Sequence, residues 1–158
     1  MYNGVGFNTS DSGSLTFDGT DDYAKTTSSF MNGATQGTFE FWFQTSSISG
    51  GGSYYFHRNC FIGKASGPDN GFGFSTTSNR LRLRLGTDSN LDSTIELSTN
   101  IIYHVVGTWD SNGSKIYING VLNNSNNTSG LSWYSSGFET IIGRVYVGSG
   151  GASFTGKI

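Results

Sequence analysis

The chain has a single cysteine, Cys60, and a single proline among its 158 residues. One thiol cannot build an internal disulfide framework, so burial and hydrogen bonding must hold the fold, and the redox compartment stays open. Cys60 is expected to pack as a small apolar residue. Charge is scarce too: charged residues make up 13% of the sequence, and nine basic against eleven acidic side chains leave a net charge of -2. Charge that thin and scattered sets up no field to gather a phosphate backbone, which excludes nucleic acid as a partner. No basic segment leads into an apolar run at the start, and no run approaches the roughly 18 apolar residues of a membrane span. Neither a signal peptide nor membrane insertion is therefore expected. Histidine occurs only at His57 and His104, which leaves no zinc cluster and little material for a nucleophile with its base.

What the chain has in abundance is glycine, with 24 residues, and aromatic side chains, at 15%. Aromatics at that density bury large apolar areas and exclude a disordered chain. Gly, Ser, Thr and Asn fill the gaps between short apolar runs, a mix that favours strands and turns over helices. Apolar and polar residues alternate in "SLTF" (14–17), "GTFEFWFQT" (37–45), "NCFIGK" (59–64), "GFGFST" (71–76) and "RLRLRLG" (80–86), the period of half-buried strands. In the last of these Leu81, Leu83 and Leu85 are predicted to face inward and Arg80, Arg82 and Arg84 to face water. A hairpin is predicted from "IIYHVVGTWD" (101–110) through a turn at "SNG" (111–113) into "SKIYINGVL" (114–122). A second turn follows at Asn119-Gly120, because Asn-Gly supplies the two positive φ angles of a type I′ turn. "FETIIGRVYVG" and "ASFTGKI" read as closing strands, while "NNSNNTSG" (123–130) and the glycines at 50–52 read as loop tips. Many short strands without crossover helices, in a chain sized for one domain over 1–158, predict an all-β, two-sheet antiparallel jelly-roll sandwich.

Few residues offer chemistry. Asp18, Asp21 and Asp22 crowd the end of the first clear strand in "LTFDGTDDYA" (15–24). Two readings stay open for them: a turn whose carboxylates accept local backbone N–H groups, or a calcium site, since closely spaced hard oxygens suit that ion. Glycoside hydrolysis needs paired carboxylates facing one cleft, but Glu40, Glu96 and Glu139 stand isolated. His57 lies three positions before Cys60 with no orienting carboxylate close by, so catalysis is not expected. A sugar site needs exposed aromatic faces beside amides or carboxylates. The candidates are Tyr54, Tyr55 and His57 in "SYYFHRN" (53–59), with Trp133 and Tyr134 in "SWYSS" (132–136). Phe39, Phe41, Phe43 and Trp109 alternate within strands and are expected in the core, and His104 is expected to make a structural hydrogen bond on one sheet face. Trp42 has the opposite parity, and either packs against the second layer or lines a concave face.

The ordered segments "GSLTFDGTDDYA", "GTFEFWFQT", "IIYHVVGTWDSNGSKIYINGVL", "IIGR" and "FTGKI" resemble laminin G-like domains, within the concanavalin A-like lectin and glucanase superfamily. The resemblance spans nearly the whole chain and implies a jelly roll of two curved sheets. It also implies binding of carbohydrates or proteins, some members holding calcium at one edge, on surface proteins or phage structural proteins. One departure concerns the family's F-x-G-x-I motif, matched by Phe154, Gly156 and Ile158. In the family it usually runs on into an acidic residue and a final strand, so the last strand is expected to be absent here, supplied by another chain, or cut from a longer protein. The expectation is a non-enzymatic carbohydrate-binding or adhesion module of an extracellular or virion-surface protein, recognising a glycan or a cell-surface protein, with calcium optional. The alternative is a structural domain that decorates or joins subunits of a larger particle, by oligomerisation or strand pairing, and binds no sugar.

Overall fold

The computed structural model describes residues 2–10, 13–26, 34–48, 62–64, 72–85, 90–127, 140–144 and 153–158. Among these residues, the alternating segments are extended. The first half carries β1 (Tyr2–Asn3), β2 (Gly6–Asn8), β3 (Ser14–Asp18), β4 (Tyr23–Lys25), β5 (Gly37–Thr45), β6 (Ile62–Lys64) and β7 (Phe72–Thr77). The second half carries β8 (Arg80–Leu85), β9 (Asn90–Asp92), β10 (Ile102–Asp110), β11 (Gly113–Ile118), β12 (Val121–Asn126), β13 (Ile141–Ile142) and β14 (Thr155–Lys157). There is no helix among the described residues, and so none long and apolar enough to cross a membrane. The strands form two antiparallel sheets, one in the order β1-β4-β13-β6-β7-β8-β9 and the other in the order β12-β11-β10-β5-β14-β3-β2. This is the predicted all-β sandwich.

The core lies between the sheets. From the second sheet β5 contributes Phe39 and Phe43, β10 contributes Tyr103, Val105 and Trp109, and β11 contributes Ile116 and Ile118. Phe41 packs partly buried against them. The first sheet answers with Phe74, Leu81, Leu83, Leu85 and Leu91. Phe74 interlocks with the inward face of β5, edge-on to Phe39 at 6.4 Å and to Phe41 at 5.4 Å between centroids, the geometry that ring quadrupoles favour. Room for it comes from Gly107. A Cβ there would sit 2.3 Å from Phe74 Cζ and 3.3 Å from Leu83 Cδ2.

The predicted hairpins are present. β10 pairs with β11 from Val105↔Ile118 to Asp110↔Gly113, and the β11–β12 turn has φ of 51° at Asn119 and 79° at Gly120, as a type I′ turn requires. Asn119 also ties the turn back to β10, since its Oδ1 accepts the His104 N–H at 2.9 Å.

Two expectations are revised. Residues 123–126 belong to edge strand β12 and are no loop tip. Their asparagines join the two sheets: Asn124 Nδ2 donates to the Asp92 carbonyl at 2.8 Å, and Asn123 Oδ1 accepts the Thr94 N–H at 2.7 Å. Low apolar content there reflects a polar seam. Second, the arginine row of β8 is no solvated face, for Arg84 is only 5% exposed. Arg82 meets Asp92 with two bonds, at 2.5 and 2.7 Å, and Arg80 reaches the Ser93 and Thr94 carbonyls. β14, which carries the F-x-G-x-I residues, is an interior strand, paired with β3 over Thr155↔Asp18 to Lys157↔Thr16 and with β5 through Gly156↔Thr45 and Lys157↔Gln44. Gly156 permits this, at φ +146°, because a Cβ would lie 2.0 Å from the Gln44 carbonyl oxygen. The glycine run at 50–52 lies outside the described residues.

Gly107→Ala is expected to destabilise the fold by about 1–3 kcal/mol, the usual range for overpacking a filled core. The denaturant midpoint should fall at unchanged slope. A change below about 0.5 kcal/mol, the range of neutral surface substitutions, would show that the Phe74 slot is slack.

Candidate functional site

The aspartate loop joins β3 to β4. Gly19 turns the chain at φ +85°, and the carboxylates hold the turn: the Thr20 N–H donates to Asp18 Oδ1 at 2.7 Å, and the Asp18 N–H donates to Asp22 Oδ2 at 2.9 Å. Asp22 is buried while Asp18 and Asp21 are exposed. One carboxylate oxygen from each of the three lies within 4.8 Å of the others. Carboxylates have two oxygens each, so an aspartate that fixes the turn with one can still offer a hard ligand with the other. The donor set suits a hard cation such as calcium, and both sequence readings of the triplet are compatible with this geometry.

Tyr54, Tyr55, His57, Trp133 and Tyr134 lie outside the described residues, as do Cys60 and Glu139. The two described glutamates are each engaged with a cation-forming side chain: Glu40 Oε1 lies 2.9 Å from His104 Nε2, and Glu96 lies 3.6 Å from Arg80. They do not form the facing pair that glycoside hydrolysis would use.

The structure resolves the parity question at Trp42. Successive side chains of β5 point to opposite faces, so burying Phe39 and Phe43 turns Glu40, Trp42 and Gln44 to the outer face of the second sheet. Trp42 is 61% exposed. Its ring stands against His104, its cross-strand partner, at 4.5 Å between centroids and 28° between planes. His104 is held in turn by Glu40, as the expected structural hydrogen bond. Thus carboxylate, imidazole and indole follow one another across two strands, and the outer side of the indole is left to solvent.

Beside Trp42 the outer face dips into a depression of about 650 Å³. Trp42 and Gln44 of β5, Ile102 of β10 and Lys157 of β14 line one part; Gly13, Ser14 and Ile158 close the other. Gln44 is oriented by donating its amide nitrogen to the Asn100 carbonyl at 2.9 Å. An exposed aromatic face, an anchored amide, a cation and an apolar wall in one concavity can seat a small polar ligand with an apolar side. Sequence reasoning missed Gln44, Ile102, Lys157 and Glu40 as members of a site. The available signal was the shared parity of Glu40, Trp42 and Gln44; the arrival of Lys157 beside them depends on strand order, which local pattern does not carry.

Comparisons agree with this architecture. The structure resembles domain 4 of AbnA, an extracellular GH43 arabinanase of Geobacillus stearothermophilus solved with arabinotriose, at a TM-score of 0.72 and 13% identity, covering 98% of this chain and 72% of that one. It resembles the CBM40 of the Ruminococcus gnavus IT-sialidase bound to α2,3 sialyllactose, at a TM-score of 0.58 and 17% identity, covering 78% and 72%. It also resembles the LG1-3 region of the laminin α2 chain, at a TM-score of 0.64 and 14% identity, covering 91% of this chain and 29% of that region. At such identities the likeness is one of fold. No curated protein sequence matches the chain. The family model described as concanavalin A-like lectin/glucanases superfamily matches residues 18–158, from the aspartate loop to Ile158, and the chain belongs to that superfamily as a laminin G-like domain.

Proposed function

We propose that this chain is a non-enzymatic carbohydrate-binding module that works as an adhesion domain on an extracellular or virion-surface protein. The observation that carries it is Trp42: a tryptophan more than half exposed, braced from behind by His104 and bordered by a depression. Sugar rings have one face rich in C–H groups and a rim of hydroxyls. The indole would take the first, and Gln44 and neighbouring polar groups the second. Structural neighbours solved with arabinotriose and with sialyllactose support the same reading. Tyr54, Tyr55, His57, Trp133 and Tyr134 are retained as further ligand contacts.

Calcium belongs to the proposal as an accessory. Asp18, Asp21 and Asp22 would hold it, and bound there it would lock the β3–β4 turn. The rival structural role, joining subunits by strand pairing, would use an edge strand such as β2 or β12.

Trp42→Ala is expected to weaken glycan binding on an array or by calorimetry at least tenfold, about 1.4 kcal/mol, with thermal stability nearly unchanged because the side chain is exposed. Full binding by this variant would remove Trp42 from the site. For the metal, millimolar calcium should raise the melting temperature of the wild type, since a ligand of the native state alone stabilises it, and Asp21→Ala should abolish the rise. No rise in the wild type eliminates calcium. Asp22→Ala should cost about 1.5–3 kcal/mol even in chelator, because it strips a buried charged acceptor from the Asp18 N–H.

A further inference from the structure

Resting on the platform reading above, we infer that His104, anchored by Glu40, is a positioning residue for Trp42, and that proton uptake by its ring tightens the hold on the indole and so favours binding. The imidazole is fixed at three points. The His104 N–H donates to Asn119 Oδ1 at 2.9 Å, the His104 carbonyl accepts the Asn119 N–H at 2.8 Å, and the ring nitrogen Nε2 lies 2.9 Å from Glu40 Oε1. The indole is held by much less. It is 61% exposed, and its stacking partner is the His104 ring, at 4.5 Å between centroids and 28° between planes. With imidazole and carboxylate pinned, Trp42 is the member of the row left to respond to a change in charge.

The hydrogen-bond pattern says where the proton goes. An ionised carboxylate can only accept, so Glu40 takes the Nε2–H and a neutral ring keeps Nδ1 as its acceptor, which no described residue occupies. Uptake at Nδ1 breaks neither the Glu40 bond nor the stack. It sets a cation against an aromatic face, where the ring quadrupole attracts it, and turns the bond to Glu40 into a charge-assisted one. The His104 side chain is 19% exposed, so solvent protons reach it, and histidine changes charge between about pH 5 and pH 8. The groups sharing this face are few. β10 itself carries Ile102, Val106 and, farther along, Asp110; β5 presents Glu40 and Trp42; β11 presents Tyr117 opposite Val106 and Lys115 opposite Thr108. Lys157 lies on β14, beyond Gln44. Glu40 is the charged group in contact with the imidazole.

Tryptophan emission reads the clamp without a ligand. The Trp42 signal is the emission of a chain less that of the same chain carrying Trp42→Phe, which removes the shares of Trp109 and Trp133. In the wild type it is expected to fall between about pH 8 and about pH 5.5, because a protonated imidazole against the indole quenches it. His104→Phe keeps a ring against the indole but takes up no proton, and should leave the signal flat. Glu40→Ala should weaken the fall and Glu40→Gln, whose amide oxygen still accepts the Nε2–H, should keep it. Lactose, maltose and cellobiose serve as neutral probes for calorimetry. Those that bind are expected to bind about two- to fivefold tighter at the lower pH, what a cation–π contact at an exposed site supplies, and equally at both in His104→Phe. A wild-type signal flat over this range, a fall that persists in His104→Phe, or wild-type affinities equal at the two pH values overturns the inference and leaves the platform standing. If none of the three sugars binds while the emission profile holds, the platform reading falls and the proton-dependent clamp on Trp42 stands.

Discussion

The pairing of β5 with β10 in a single register governs both the interior and the surface of this molecule. On one face the pairs are Phe43↔Tyr103, Phe41↔Val105, Phe39↔Gly107 and Gly37↔Trp109; on the other they are Gln44↔Ile102, Trp42↔His104 and Glu40↔Val106. A slip of one residue would exchange the two faces of either strand. The phenylalanines would enter water, at roughly 1.5–3 kcal/mol for each side chain unburied, and Glu40 and Gln44 would be forced between the sheets without their partners, a further penalty. The core thereby enforces the geometry of the outer face. His104 lies behind Trp42 because Val105 and Phe43 are buried.

That dependence explains which features were legible in the chain and which were not. Parity, turn chemistry and composition are local, so the hairpins around Asn119-Gly120 and the inward set Phe39, Phe43, Leu81, Leu83, Leu85 and Trp109 followed from short windows. Trp42 could be assigned to the face opposite the phenylalanines but not to solvent, because parity does not say whether a further layer covers that face. Arg82 and the Asn-rich strand β12 were misjudged for one reason: polar residues near a sheet edge can be consumed by tertiary bonds. Arg82 bonds to Asp92 on the adjacent strand, and Asn123 and Asn124 reach across to the 92–94 segment of the other sheet. Such bonds depend on which strands become neighbours. Lys157 is the extreme case, since it enters the site only because β14 inserts between β3 and β5.

A site carried on strands also differs in kind from one carried on loops. The backbone under Trp42, Gln44, Ile102 and Lys157 is fixed by ladders on both sides of β5, and side chains that need no ordering on binding lose less entropy when they engage a ligand. Even the side chains are partly held, His104 by Glu40 and Gln44 by the Asn100 carbonyl. The aspartate loop is built the other way. Two of its carboxylates already shape the backbone that positions them, so a cation bound there would reinforce a turn that exists without it.

The remaining exposed hydrophobics sharpen the case for Trp42. Phe7 sits on edge strand β2, while Val121 and Leu122 follow the Asn119-Gly120 turn; single exposed apolar residues at edges and turns are common and ask for no partner. Trp42 stands instead at mid-strand in a sheet interior, next to exposed Ile102. The sheet edges are arranged differently on the two sides. On one side β1 and β2 are consecutive, so a short run of chain, turned at Gly4, closes both sheets in passing. On the other, β9 and β12 are joined through Asp92, Thr94, Asn123 and Asn124. Short or occupied edges discourage strand addition. Among the described residues, the outer face of the second sheet is the surface on which an exposed aromatic, a cation and a concavity coincide.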